Sequence, residues 1–150
     1  MMTLALLVAA TSCTPRPRDA ARPLTVVVRD AAARDAVREL AEIFTADTGI
    51  AVRVVAGSTS DAGGHGFDLL LDSDDAAFAT PAGDGLGSAT VAVVALAPPT
   101  AEEASTRTLR VAVPSRADVH SYAREFRGRL LGDEGRAVLE KHGLTPPPEQ

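Results

Sequence analysis

The chain alternates short β-branched runs with segments whose apolar residues recur every three or four positions. Leu24-Thr-Val-Val-Val28 is a run of strand length, built from residues that pack well on a pleated surface. Asp30 sits where it can cap the next element. Ala33, Val37, Leu40, Ala41 and Phe44 then share one face of a helix, and Gly49 suits its stop. Ile50 to Val55 predicts a second strand, Phe67-Asp-Leu-Leu-Leu71 a third, Ala89 to Leu96 a fourth and Leu109 to Val113 a fifth. Between them, Asp61 to Gly66 reads as a glycine-rich mobile loop, Asp75 to Ala79 as a short helix, Pro81 to Gly87 as loop and Pro98 to Thr106 as a polar connector. Ser115-Arg-Ala-Asp118 has the spacing of a capping box, with aspartate in the glutamate position. It predicts a helix with Val119, Tyr122, Ala123, Phe126 and Leu130 on its apolar stripe. A last helix spans Asp133 to His142, closed by Gly143 and ended by Pro146, Pro147 and Pro148.

Strands alternating with helices predict an α/β domain with a mostly parallel sheet flanked by helices. The nearly continuous apolar strands fit a sheet covered on both faces. Ligands on such sheets bind beyond the carboxyl ends of strands, where helix N-termini point. Two turns therefore form the candidate site. Arg29, Asp30 and Ala31 follow the first strand, and Gly57-Ser58-Thr59-Ser60 follow the second. The hydroxyls of Ser58, Thr59 and Ser60 and a flexible backbone can hold an oxyanion through fixed dipoles, without a buried countercharge. The alternative reading of the same residues is an ordinary polar loop.

Composition narrows the function classes. A length of 150 residues implies one domain. The net charge of −5 argues against a nucleic-acid partner, which needs a basic face. With 45% apolar and 23% charged residues the chain is neither disordered by composition nor embedded in a membrane, and no apolar run reaches the ~18–20 residues a spanning helix needs. A single cysteine excludes a disulfide framework and a multi-cysteine metal site. That cysteine has a telling position. Residues 1–12 are uncharged, Leu4 to Ala10 is an apolar run, and the small residues Thr11 and Ser12 precede Cys13. This reads as a secretory signal peptide over 1–12 ending in a lipobox, in which the Cys13 thiol takes a diacylglycerol. Residues 13–23, with Pro15, Pro17 and Pro23, form a lipid-anchored flexible linker, and 24–150 form the α/β body. The expected location is extracytoplasmic, on a membrane surface.

Catalytic readings fit poorly. Leu69-Leu-Leu-Asp72-Ser-Asp74 invites comparison with haloacid-dehalogenase-like phosphatases, which place two carboxylates two residues apart after an apolar strand. Asp75 stands where that family has glycine, however, and Ala76 replaces its hydroxyl residue. The acidic loop lacks the calcium-loop pattern. His65, His120 and His142 lack partners at zinc-ligand spacing, and there is neither a Gly-x-Ser-x-Gly elbow nor a P-loop. No enzyme activity, metal or cofactor is expected.

The order of elements resembles the substrate-binding proteins of bacterial molybdate ABC importers and the wider group of oxyanion-binding solute receptors. The resemblance runs through Leu24-Thr-Val-Val, the helix with Ala41 and Phe44, Gly49, Val52 to Val55 and the serine loop. Phe67-Asp68-Leu-Leu-Leu-Asp72-Ser73-Asp74 is similar to a family segment with aspartates at the places of Asp68 and Asp74. Phe126, Leu130, Val138, Leu139, Lys141, His142, Gly143 and Leu144 track the family's closing helix pair. Val111-Ala-Val113 with Pro114 resembles its return strand, and Ala89 to Ala97 with Pro98 its crossover strand. The resemblance implies one lobe of a type II periplasmic-binding-protein-like fold, with the second lobe missing between 98 and 109. It also implies weak binding of a small oxyanion such as molybdate, tungstate or sulfate, and an ABC permease as partner. In the family one serine in each of the first two strand–helix turns grips the anion. Ser58 or Ser60 matches the second, whereas Arg29, Asp30 and Ala31 stand in the first. A degenerate, non-transporting lobe that docks another envelope protein is the alternative.

Overall fold

A computed structural model describes residues 22–63, 66–74, 76–79, 90–98 and 106–147. The expected signal peptide over 1–12, Cys13, His65, the loop expected from Pro81 to Gly87 and most of the expected linker and polar connector lie outside these residues. The described elements run β1 (Leu24–Val28), α1 (Arg34–Thr48), β2 (Val52–Ala56), a 3-10 turn (Thr59–Ala62), β3 (Leu69–Asp72), α2 (Ala76–Ala79), β4 (Thr90–Ala97), β5 (Arg107–Val113), α3 (Ala123–Leu131) and α4 (Asp133–Lys141).

The strands form one sheet in the order β2-β1-β3-β5-β4. β1 pairs in parallel with β2 and with β3. β5 is antiparallel to both β3 and β4. The sheet is therefore mixed, which corrects the mostly parallel sheet that the alternation of elements predicts. The cause is the short connection after β4: Pro98 to Thr106 cannot carry a crossover to a parallel neighbour, so β4 and β5 close as a hairpin. The central strands β1 and β3 are buried along their whole length, and the edge strand β2 is half-exposed. That burial pattern explains why the central strands read as unbroken apolar runs.

One face of the sheet carries the main core. Leu24, Val26 and Val28 of β1, Leu69 and Leu71 of β3, and Leu109 and Val111 of β5 pack there under α1, α3 and α4. The predicted α1 stripe is buried, and Gly49 ends the helix at φ 72° with its N–H on the Thr45 carbonyl. Phe44 packs edge-on against Phe126, with ring centroids 5.3 Å apart. The other face holds a smaller cluster of Val27, Phe67, Leu70 and Ala112, against which Val55 and Phe78 pack.

Three local expectations are corrected. α1 starts at Arg34, and Asp30 caps only the turn before it, accepting the Ala32 N–H at 2.8 Å. Ser115 and Asp118 do not cap a helix, because α3 begins at Ala123 behind an uncapped Tyr122. Asp118 instead meets Arg116, at 2.9 Å. Part of the loop expected from Asp61 to Gly66 is ordered as the 3-10 turn through Ala62. At the α3–α4 joint only glycine fits position 135, since a Cβ there would collide with the Leu130 carbonyl. Glu39 on α1 accepts hydrogen bonds from Lys141 and from His142 on or beside α4. The Lys141 bond, followed by that of His142, holds its carboxyl below the usual value.

Candidate functional site

Because β1, β2 and β3 are parallel neighbours, their carboxyl ends meet at one pole of the sheet. Val28 pairs with Ala56 and with Leu71. The Gly57 N–H reaches the Val28 carbonyl at 3.3 Å, and the Arg29 N–H reaches the Leu71 carbonyl at 2.9 Å. The two turns singled out from sequence thus stand side by side, joined by the end of β3 with Asp72 and Asp74.

The serine turn is folded on itself. Gly57 takes φ 112°, which favours glycine, and delivers the chain into the 3-10 turn. Ser58 is its N-cap and forms a capping box with Asp61. The Ser58 N–H donates to Asp61 Oδ2 at 2.8 Å, while Ser58 Oγ accepts the Ser60 N–H at 3.3 Å and the Ser60 hydroxyl at 2.9 Å. The Asp61 carboxylate therefore occupies the amide that an oxyanion would seek. The Ser58 hydroxyl, having accepted twice, keeps its own hydrogen to donate outward. Ser58, Ser60 and Asp61 are exposed, so water competes for every one of these bonds.

The first turn is more acidic than its sequence suggests. The Asp30 side chain is fully buried, with Oδ2 lying 3.7 Å from Arg107 Nη2 and making no hydrogen bond among the described residues. Arg29 Nη1 lies 3.3 Å from Asp72 Oδ2, and Asp72 Oδ1 also accepts the Asp74 N–H at 3.1 Å. Ala31 is exposed and offers only backbone. Arg107 faces Asp30 and Arg29 faces Asp72, so the positive charge of these two arginines is largely neutralised. Asp72 is held by Arg29 and by the Asp74 backbone amide. Among the described residues no cluster of three or more histidine, cysteine or carboxylate side chains could hold a metal ion.

Sequence reasoning missed a second polar cluster at the opposite pole. Asp68 is fully buried and accepts both Arg22 guanidinium nitrogens at 2.8 Å. It also accepts the Thr25 N–H at 2.8 Å and the His120 N–H at 2.7 Å. Burial pushes its pKa up. The bonds from Arg22, Thr25 and His120 outweigh that push and hold the carboxyl below its ordinary 3.8. His120 is itself buried, and its Nδ1 accepts the Tyr122 N–H at 3.2 Å. A lone aspartate inside an apolar run was the available signal. Comparison with known proteins adds no assignment to either pole: no protein-family model, curated protein or solved structure matches this chain.

Proposed function

We propose that this chain is a single-lobe relative of the oxyanion-binding solute receptors. In this reading a lipid on Cys13 holds it on the outer side of a membrane, where it serves an ABC permease. The Ser58 turn binds a small oxyanion such as molybdate, tungstate or sulfate, weakly. The observation that carries the reading is the sheet order with β5 reversed between β3 and β4. The resemblance assigns residues 111–113 to a return strand and 89–97 to a crossover strand, and a return strand must run back against its neighbours. Weak binding follows from half a cleft, from hydroxyls open to water and from the amide that Asp61 already holds.

Asp61 acts in this reading as a built-in competitor, which gives the test its form. Titration calorimetry with molybdate should show binding in the millimolar range. Asp61→Ala should tighten it about tenfold, because a charge-assisted bond to the Ser58 N–H becomes available to the ligand. Asp61→Asn, which removes the charge but keeps an acceptor for the Ser58 N–H, should gain less. No heat at millimolar molybdate, tungstate or sulfate in any of the three proteins would sink the oxyanion reading.

A second reading, an envelope interaction module without a ligand, draws support from the edge strand β4. Its sequence Thr90-Val-Ala-Val-Val-Ala-Leu-Ala97 carries no charge, and Val91, Val93 and Leu96 are each about 40% exposed. Thr145 pairs with the Leu96 backbone and guards one end of this edge, and the Val91 and Val93 stretch is the part on which a partner strand could pair. Affinity capture from detergent-solubilised membranes would then recover the permease or another specific envelope protein, and an empty capture counts against the module.

A further inference from the structure

The reversal of β5 creates a strand end that the two parallel turns do not share. Its carboxyl end, Val113, lies at the pole opposite the Ser58 turn and leads into α3. A cavity of about 300 Å³ opens there, lined by Val113, Ser115, Arg116, His120, Ser121 and Arg124 among others.

Two features make this cavity anion-seeking. Arg116 is held rigidly. Its Nη2 donates to the Phe67 carbonyl, its guanidinium sits 5.2 Å from the centre of the Phe67 ring, and its Nε lies 2.9 Å from Asp118 Oδ1. Gly66 leaves the room it needs, since a Cβ there would come within 2.7 Å of Nη2. Arg124 differs: it is exposed and has no ion pair among the described residues. Arg22 is matched by Asp68 and Arg116 by Asp118, which leaves the Arg124 charge in excess at the cavity wall. The Ser115 and Ser121 side chains add hydroxyls at the rim. The Arg124 guanidinium supplies N–H donors in a fork that matches tetrahedral oxyanions bidentately, while Arg116 fixes the wall beside it.

We propose that this cavity is a second binding site, for a phosphate group, carried either free as inorganic phosphate or on a lipid headgroup. The site is independent of the oxyanion reading of the Ser58 turn. The experiment is a two-dimensional NMR titration of the full chain, following the amides of residues 113–124 and of residues 57–61 separately. One arm uses inorganic phosphate and the other uses phosphatidylglycerol vesicles. Saturable shifts at residues 113–124 with inorganic phosphate, weakened about tenfold by Arg124→Gln, are the expected result for free phosphate. Broadening of the same amides by vesicles alone, relieved by Arg124→Gln, identifies the headgroup as the source. Arg124 is exposed, so the glutamine variant keeps the fold, and its effect must leave residues 57–61 unmoved. The proposal is overturned if neither arm perturbs residues 113–124 at millimolar phosphate, or if Arg124→Gln leaves the response unchanged.

Discussion

Replacing Asp68 with alanine is expected to destabilise the domain by about 3–5 kcal/mol, as a shift of the urea midpoint at unchanged slope. The carboxylate satisfies two backbone amides, those of Thr25 and His120, and both bonds are buried. Each amide left without a partner costs about 1–3 kcal/mol. Arg22, whose side chain is 21% exposed, can partly recover its hydration and contributes the smaller share. The effect has a pH signature. Asp68 is held below its ordinary 3.8 in the folded state, so its contribution is complete above that value. It fades as the pH falls through the lower folded value, and the gap between parent and variant narrows there. Equal midpoints for the two proteins at neutral pH would show that the network contributes nothing.

Phe44→Ala is expected to cost a similar amount, about 3–5 kcal/mol. Phe44 is completely buried and joins α1 to α3 through edge-on contacts with Phe126 at 5.3 Å and Tyr122 at 6.5 Å. The Arg129 guanidinium covers the ring at 5.2 Å. The chain has one tyrosine and no tryptophan, so near-ultraviolet circular dichroism of Tyr122 reports this corner directly. Retention of the tyrosine signal with a loss of stability below about 1 kcal/mol would mean that α3 does not depend on α1. The two sites are linked through His120 and Tyr122, since His120 donates to Asp68 and Tyr122 touches both His120 and Phe44. The double variant should therefore depart from simple additivity.

The elements with strong periodicity were readable from the chain. β1, β3 and the α1 stripe are buried as their patterns predict, because a central strand and an amphipathic helix leave unambiguous apolar spacing. Strand direction was not readable, since alternation looks the same from either end. For that reason the chain alone suggests a mostly parallel sheet, and gives no sign that Arg116 and Arg124 are neighbours of one cavity. β5 also begins two residues earlier than expected. Arg107 and Thr108 pair with Ala97 and Leu96 at a half-exposed end, where polarity is tolerated. Capping spacing pointed to the wrong serine. Ser115 and Asp118 have it, but Arg116 engages the aspartate locally. Ser58 and Asp61 have the same spacing, and there the box closes. The two candidate turns do meet at one pole, but their internal bonds depend on side-chain placement that no pattern encodes. The Asp30–Arg107 and Arg29–Asp72 pairs each join residues from different strand ends.

The Arg22–Asp68 clamp has a geometric consequence. Arg22 is tied to Asp68 through both terminal nitrogens and to the Asp118 carbonyl through Nη2. The path of the chain into β1 is thereby fixed at the pole that carries Arg116 and Arg124. The Ser58 turn lies at the other end of β1, about 17 Å away along its five residues. In the proposed tethered arrangement the chain would therefore enter the domain at the end remote from the Ser58 turn. Releasing the clamp would free that entry segment from the sheet even where the domain stays folded.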